Sequence, residues 1–238
     1  MSQHPIIITG GAQRLGLASA LALNEKGYKV VITYRKARPI IGELKAKGVE
    51  SFTADFSTDS GIAAFIEIVK SRYPKIRALI HNASTWSPDP KEIDIDASSK
   101  VFDDMMQVHA KTPLLINKAL ADNIEEKGDI LHISDQVATL GSMKHLAYAA
   151  SKAALENLTF SFARKLAPNI KVNAIAPALI TFNEWDDDEY RRKSLEKSLL
   201  GIEAGEKSFT DTVIYLLENN YITGRVLPLD GGRHLKLP

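Results

Sequence analysis

The first thirty residues leave few folds open. Pro5-Ile-Ile-Ile-Thr9 is a short β-branched run with polar flanks, as expected of a parallel strand buried on both faces. It enters Gly10-Gly-Ala-Gln-Arg-Leu-Gly16 and then Leu17–Lys26, a strong helix former. Strand, glycine-rich turn and helix in that order predict a unit whose helix N-terminus offers free N–H groups to a pyrophosphate. Gly10 permits the tight turn, and Gly16 lets the helix begin close to strand and ligand. The spacing is TGxxxRxG rather than GxGxxG, with Arg14 where a middle glycine often stands.

The alternation continues along the chain. Further strands are predicted over Gly27–Tyr34, Val49–Ala54, Ile76–Ile80, Asp129–Ile133, Ile170–Ile175 and Val226–Leu229. Helices are predicted over Arg38–Lys47, Asp59–Tyr73 (capped by Ser57 or Thr58), Ser99–Leu120 with a break near Thr112-Pro113, Ala147–Leu166, and Thr210–Glu218. Strand–helix alternation predicts an α/β fold, a doubly wound parallel sheet of about seven strands, with ligand groups at the carboxyl ends of strands. At 238 residues the simplest organisation is one domain. The polar stretch Ala178–Lys207 is too long for a plain connection and reads as a substrate lid with a short charged helix.

Several side chains fall at those carboxyl ends. The second strand runs into Tyr34-Arg35-Lys36-Ala37-Arg38 with no carboxylate to bond a ribose 2′-hydroxyl. Arg35, with Arg14 adding charge, suits a 2′-phosphate, and so NADPH rather than NADH. Asp55 either reads an adenine amino group or caps a turn. Trp86, in the polar loop His81-Asn-Ala-Ser-Thr-Trp86, is either a stacking surface for a flat ligand or a packing residue under its loop. Ser134-Asp135 ends the fifth strand.

Tyr148-Ala-Ala-Ser-Lys152 opens the longest helix, placing a phenol and an ammonium one turn apart on one face. The ammonium is expected to stabilise the phenolate, lower the tyrosine pKa and ease proton donation. Alone, so short and common a pattern is far more often a surface tyrosine and a solvated lysine; its company gives it meaning.

Composition narrows the class. The chain is 45% apolar and 25% charged with a formal net charge of +1, which shows no electrostatic footprint for nucleic acid or membrane surface. It has no cysteine, so no disulfide or thiol nucleophile, and no metal site is expected. The start, Met1-Ser-Gln-His-Pro5, has no basic region, and the apolar run after it is too short for a signal or membrane segment. A cytoplasmic location is expected.

These motifs, Thr9-Gly10…Gly16, Asp55, Asn82-Ala83, Tyr148…Lys152, Asn173…Pro177 and Asp230-Gly-Gly232, resemble those of the short-chain dehydrogenase/reductase family from Ile6 to Gly232. Within it the chain looks like the pteridine reductases. Arg14 sits inside the glycine turn as it does there. Asp135 stands thirteen residues before the tyrosine, where the wider family usually has serine and pteridine reductases have aspartate. Asn82-Ala-Ser-Thr-Trp86 is similar to their NASSF loop, whose aromatic stacks on the pterin.

The resemblance implies NADPH-dependent reduction of a 7,8-dihydropterin to the tetrahydro form. It places the cofactor on Gly10, Arg14, Leu15 and Gly16, on Tyr34 and Arg35, on Asp55 and Phe56, on Asn82 and Ala83, on Tyr148 and Lys152, and on Pro177 and Leu179. It places the pterin on Arg14, Ser84, Trp86, Asp135 and Tyr148, with Asp135, Tyr148 and Lys152 catalytic. It also implies a homotetramer. Where many relatives carry a relay asparagine on the fourth helix, this chain has His109. The readings that compete are a carbonyl or 3-oxoacyl reductase of the same fold and a non-catalytic NADPH-binding sensor.

Overall fold

The computed structural model describes residues 2–236. Met1, included in the reading of the chain's start, lies outside them, as do Leu237 and Pro238. The strands are β1 (Ile6–Ile8), β2 (Val30–Tyr34), β3 (Glu50–Thr53), β4 (Ile76–His81), β5 (Ile124–Ile133), β6 (Ile170–Pro177) and β7 (Val226–Leu229). They form one sheet, parallel at every pairing, in the order 3-2-1-4-5-6-7. This is the expected doubly wound arrangement.

Successive side chains on a strand point to opposite faces, and the core divides accordingly. Ile6 and Ile8 of β1 join one apolar cluster with α1 (Arg14–Glu25), α2 (Ile40–Ala46) and α9 (Gly205–Glu218). Ile7 joins the other, with α3 (Asp59–Arg72), α5 (Thr112–Leu120) and α7 (Leu146–Leu166). Val30/Val31 and Ile80/Leu79 split the same way. Each such side chain, fully buried, contributes about 1.5–3 kcal/mol. The strand order reverses between β1 and β4, so the crevice of a doubly wound sheet opens between the loops that follow those two strands.

Three boundaries differ most from the sequence reading. The Ser99–Leu120 helix begins earlier, as α4 (Ile95–Met106) capped by the Asp94 carboxylate on Ala97 N–H, and its irregularity precedes Pro113 as a π-helical turn over Gln107–Lys111. Pro113 has no N–H to return to the preceding turn, and Gln107 O accepts from both the N–H and the hydroxyl of Thr112. β5 starts at Ile124, not Asp129; the polar Glu125-Glu126-Lys127 hid it, and Lys127 takes a left-handed conformation (φ 63°) beside a register shift. The stretch expected as a lid stops short of Lys207, because α9 already starts at Gly205; within it lies α8 (Asp188–Leu195). Among the described residues no helix is long and apolar enough to cross a membrane.

Candidate active site

The glycine turn is built by close approach. Gly10 has φ 67°, and a Cβ on it would lie 2.9 Å from Ala83 Cα. A Cβ on Gly16 would collide with the Asn82 amide and the Gly10 carbonyl. Arg14 takes a left-handed φ of 49°, which explains why glycine is often found there and costs roughly 1–2 kcal/mol. Its guanidinium Nη1 donates to Asn183 Oδ1 at 3.2 Å, joining the turn to the 178–204 stretch. α1 has no side-chain cap and no acid in its first turn, so its first N–H groups suit an anion.

Asn82 braces this turn. Its amide Nδ2 donates to Thr9 O (3.0 Å) and Gly10 O (2.9 Å), while the Thr9 hydroxyl oxygen accepts from Asn82 N and Ala83 N. Thr9 opens the Thr9-Gly10…Gly16 motif, but nothing in the sequence assigns this bracing role to its hydroxyl.

A cleft of about 650 Å³ runs across these strand ends. Every residue assigned to the site from sequence lines it except Leu179. Leu179 follows Ala178, the last residue of that segment at the cleft wall. At one end Arg35, Lys36 and Arg38 line it, and β2 ends without a carboxylate. Asp55 Oδ1 accepts from Ser57 N (3.0 Å) and Ser57 Oγ (2.8 Å), which caps the turn, while the residue also lines the cleft. The Ser57 N–H, then its hydroxyl, hold that carboxyl below the usual range.

At the other end the last residues of β5 and the loop after it meet α7 by three rungs. Tyr148 Oη donates to Asp135 Oδ2 at 3.1 Å, Lys152 Nζ to Ile133 O at 2.9 Å, and Ser134 Oγ to Glu156 Oε1 at 2.7 Å. Tyr148, Lys152 and Glu156 follow at i, i+4 and i+8, one helix face. Glu156 was missed in the sequence, although one more step of the Tyr148–Lys152 spacing reaches it.

The electrostatics correct one expectation. Lys152 does not lower the Tyr148 pKa; the phenol is pushed up, first by burial and then by the Asp135 carboxylate that accepts its proton. The ammonium is turned to the Ile133 carbonyl, 5.6 Å from the centre of the phenol ring. Lys152 is 3% exposed, and burial lowers it to about 8. Asp135 is raised, with burial outweighing the Val137 N–H and the Lys152 charge. Phenol, carboxyl and amine are thus all pushed toward their neutral forms; this brings the carboxyl and the amine closer to neutral pH and takes the phenol further from it.

The loop after β4 closes the cleft. Trp86 is 58% exposed, lines the cleft and leans on His145 with ring centroids 4.8 Å apart. Asp89 accepts from Leu146 N (2.6 Å) and Ala147 N (3.4 Å), capping α7 from outside its own segment. Ser84 Oγ lies 2.8 Å from Nε2 of the buried His109. Among the described residues no group of acids and histidines is placed to hold a metal.

Comparison with known proteins agrees with this geometry. A family model described as enoyl-(acyl carrier protein) reductase matches residues 10–234. A dihydromonapterin reductase of Klebsiella pneumoniae is 48% identical over 237 residues, covering 98% of both chains, and one of an Enterobacter species is 50% identical with the same coverage. The crystal structure of FolM alternative dihydrofolate reductase 1 from Brucella canis, complexed with NADP, superposes with a TM-score of 0.87 at 29% identity, covering 99% of this chain and 96% of that one. The chain therefore belongs to the short-chain dehydrogenase/reductase family.

Proposed function

We propose that this single-domain chain is an NADPH-dependent reductase of 7,8-dihydropterins, with 7,8-dihydromonapterin as substrate and dihydrofolate as a side activity. The observation that carries the reading is the Tyr148–Asp135 hydrogen bond inside the cleft. A carboxylate there accepts from ring N–H and NH₂ groups, which an aminopterin has and a simple ketone lacks. The dihydromonapterin reductases at 48–50% identity support the same substrate class.

The chain's own residues fit the cofactor. Gly10 and Gly16 clear a backbone cradle, the uncapped start of α1 suits the pyrophosphate, and Arg35 suits a 2′-phosphate. NADPH when bound supplies the hydride that C6 of the pterin receives. Lys152 would hold the nicotinamide ribose, and Trp86 would roof the pterin and fix its plane. Tyr148, or a water held by Asp135, Tyr148 and Lys152, delivers the proton to N5. Ser84 and Arg14 meet the polar edge of the ring. The 178–204 stretch acts as the lid, a role supported by the Arg14–Asn183 contact.

A homotetramer in the cytoplasm completes the reading. Phe102 of α4, Leu114 of α5 and Phe160 of α7 are exposed apolar side chains that a partner would cover. Light scattering on the purified protein checks this; a monomer at micromolar concentration would refute it.

NADPH oxidation measured with dihydromonapterin, dihydrofolate, dihydrobiopterin and a β-ketoester tests the substrate class. Turnover of the pterins and not of the ketoester is expected. Preference for the ketoester would return the carbonyl reductase reading, and NADPH binding without any turnover would return the sensor.

A further inference from the structure

The helical run from Ile95 to Leu120 widens as it passes the cleft. Its π turn, Gln107–Lys111, is fastened on the outside to Asp59, which accepts from Gln107 Nε2 at 2.9 Å and Lys111 Nζ at 2.7 Å. Such turns recur at functional sites. This one turns His109 inward, 1% exposed, with its ring edge-on to that of Tyr148 at 5.4 Å between centroids.

The hydrogen bonds of that ring fix its tautomer. Thr85 N–H donates to His109 Nε2 at 3.2 Å. A backbone N–H can only donate, so Nε2 carries no proton. The Ser84 hydroxyl, 2.8 Å from the same nitrogen, therefore also donates. The ring proton sits on Nδ1 and goes to Ser151 Oγ at 2.8 Å, and Ser151 gives its own proton to the Tyr148 carbonyl at 2.7 Å. Donation runs one way, from the Trp86 loop through His109 to the turn of α7 that carries Tyr148.

We propose that His109 is a positioning residue: a neutral clamp that ties the Asn82–Trp86 loop to α7, and not a carrier of the reaction's proton. A proton on Nε2 would face the Thr85 N–H donor to donor, so His109 cannot cycle a proton without breaking its hold on the loop. Burial first, and the Lys152 ammonium second, keep the imidazole well below its ordinary range. The clamp also sets the polarity of Ser84. With its proton committed to His109, Ser84 offers a ligand only lone pairs, the same acceptor character as Asp135 on the same cleft. The inference rests on the dihydropterin reading only for the substrate used in the assay.

The test uses His109→Ala and His109→Gln, each also made with Trp185→Phe so that Trp86 is the only emitting indole. In His109→Ala the KM for the dihydropterin should rise about tenfold, the worth of roughly one hydrogen bond. NADPH affinity and the pH profile of kcat should hold, and Trp86 anisotropy should fall as the loop loosens. His109→Gln, which keeps an acceptor toward Thr85, should recover part of both. A fall in kcat with unmoved KM and a lost limb of the pH profile would make His109 a relay and overturn the clamp. Unchanged Trp86 anisotropy in both variants would overturn it as well. If the unmodified enzyme turns over no dihydropterin, the substrate reading fails, while the anisotropy, which needs no substrate, still decides the clamp.

Discussion

Tyr148 and Asp135 share a single hydrogen bond of 3.1 Å, and in it the phenol is the donor. The phenol proton therefore points at the carboxylate, and burial with that negative neighbour raises the cost of ionising it. The pair stores one proton where a reduced ring nitrogen would need it.

Removing the phenol oxygen removes that store. Tyr148→Phe should lower kcat by roughly 10²–10⁴-fold, the usual range for a lost general acid. NADPH binding, followed by fluorescence titration, should stay within about twofold, because the glycine turn and Arg35 do not touch the phenol and Lys152 keeps its bond to Ile133 O. Turnover like that of the unmodified enzyme would take Tyr148 out of the chemistry.

Arg35 is exposed at the end of β2, at the cleft end that also carries Lys36 and Arg38. Arg35→Asp places a carboxylate where a 2′-phosphate would sit and where a 2′-hydroxyl could be bonded. The preference for NADPH over NADH in kcat/KM should fall by about 10²-fold or more, from a lost charge-assisted bond together with a new repulsion. An unaltered ratio would assign the phosphate to another group.

Trp86→Ala should raise the KM for dihydropterins about tenfold while leaving NADPH affinity alone, as expected for a lost stacking surface. The indole leans on His145 yet stays more than half exposed, so its removal opens no cavity in the core. A KM that does not move would make Trp86 a packing residue of its loop.

Much of this architecture was legible from short-range pattern. The β-branched run Ile6–Ile8 announced a strand, and its period-2 split between two core clusters is what such a run must do when both faces are covered. What the pattern hid depends on partners distant in sequence. The Asp89 cap on α7 crosses more than fifty residues, and Ser134–Glu156 and Thr85–His109 cross more than twenty. The sign of the Tyr148 shift was misread for the same reason. Spacing put Lys152 near the phenol, but only the folded backbone shows its ammonium turned to Ile133 O and the carboxylate of Asp135 bonded to the phenol instead.

Away from the cleft, the Asp129 carboxylate takes both Arg77 and Lys171, and those cations also donate to Leu217 O (2.9 Å) and Leu216 O (3.1 Å) near the end of α9. All three charges are largely buried. Asp129→Asn would leave buried Lys171 without a carboxylate and Arg77 with only Glu125, 3.6 Å from its Nε, so a loss of about 3–5 kcal/mol is expected, which lowers Tm by roughly 10 °C in a chain of this size. Calorimetry checks it, with NADPH affinity as the control. A Tm change under about 2 °C would show that the triad is replaceable by neutral hydrogen bonds.

A second buried network predicts acid sensitivity. His81 and His132 are register partners on β4 and β5 with Asn117 of α5 between them. His81 Nε2 bonds Asn117 Oδ1 at 2.7 Å, Asn117 Nδ2 donates to His132 Nε2 at 3.0 Å, and His132 Nδ1 donates to Thr159 Oγ1 at 2.8 Å. Thr159 passes its proton to Leu155 O. His132 must stay neutral for this chain to hold, because its Nε2 accepts from Asn117, whereas His81 donates to Asn117 in either state and is kept neutral by burial; burial pulls His81 down to about 4 and His132 well below its ordinary value. An unfolded histidine takes its proton near pH 6.5, so between there and the folded value the unfolded chain binds more protons, and stability falls as the pH falls. For His81 the loss is about 3 kcal/mol, and His132 acts in the same direction. Carboxylates held low, such as Asp55 and Asp230, lose their contribution mainly below about pH 4, which separates the two effects. Urea midpoints should therefore drop between pH 7 and pH 4.5, and His81→Gln should flatten that slope even though it lowers stability at pH 7. A midpoint level across that range in the unmodified protein would mean the buried imidazoles accept protons as readily as unfolded ones.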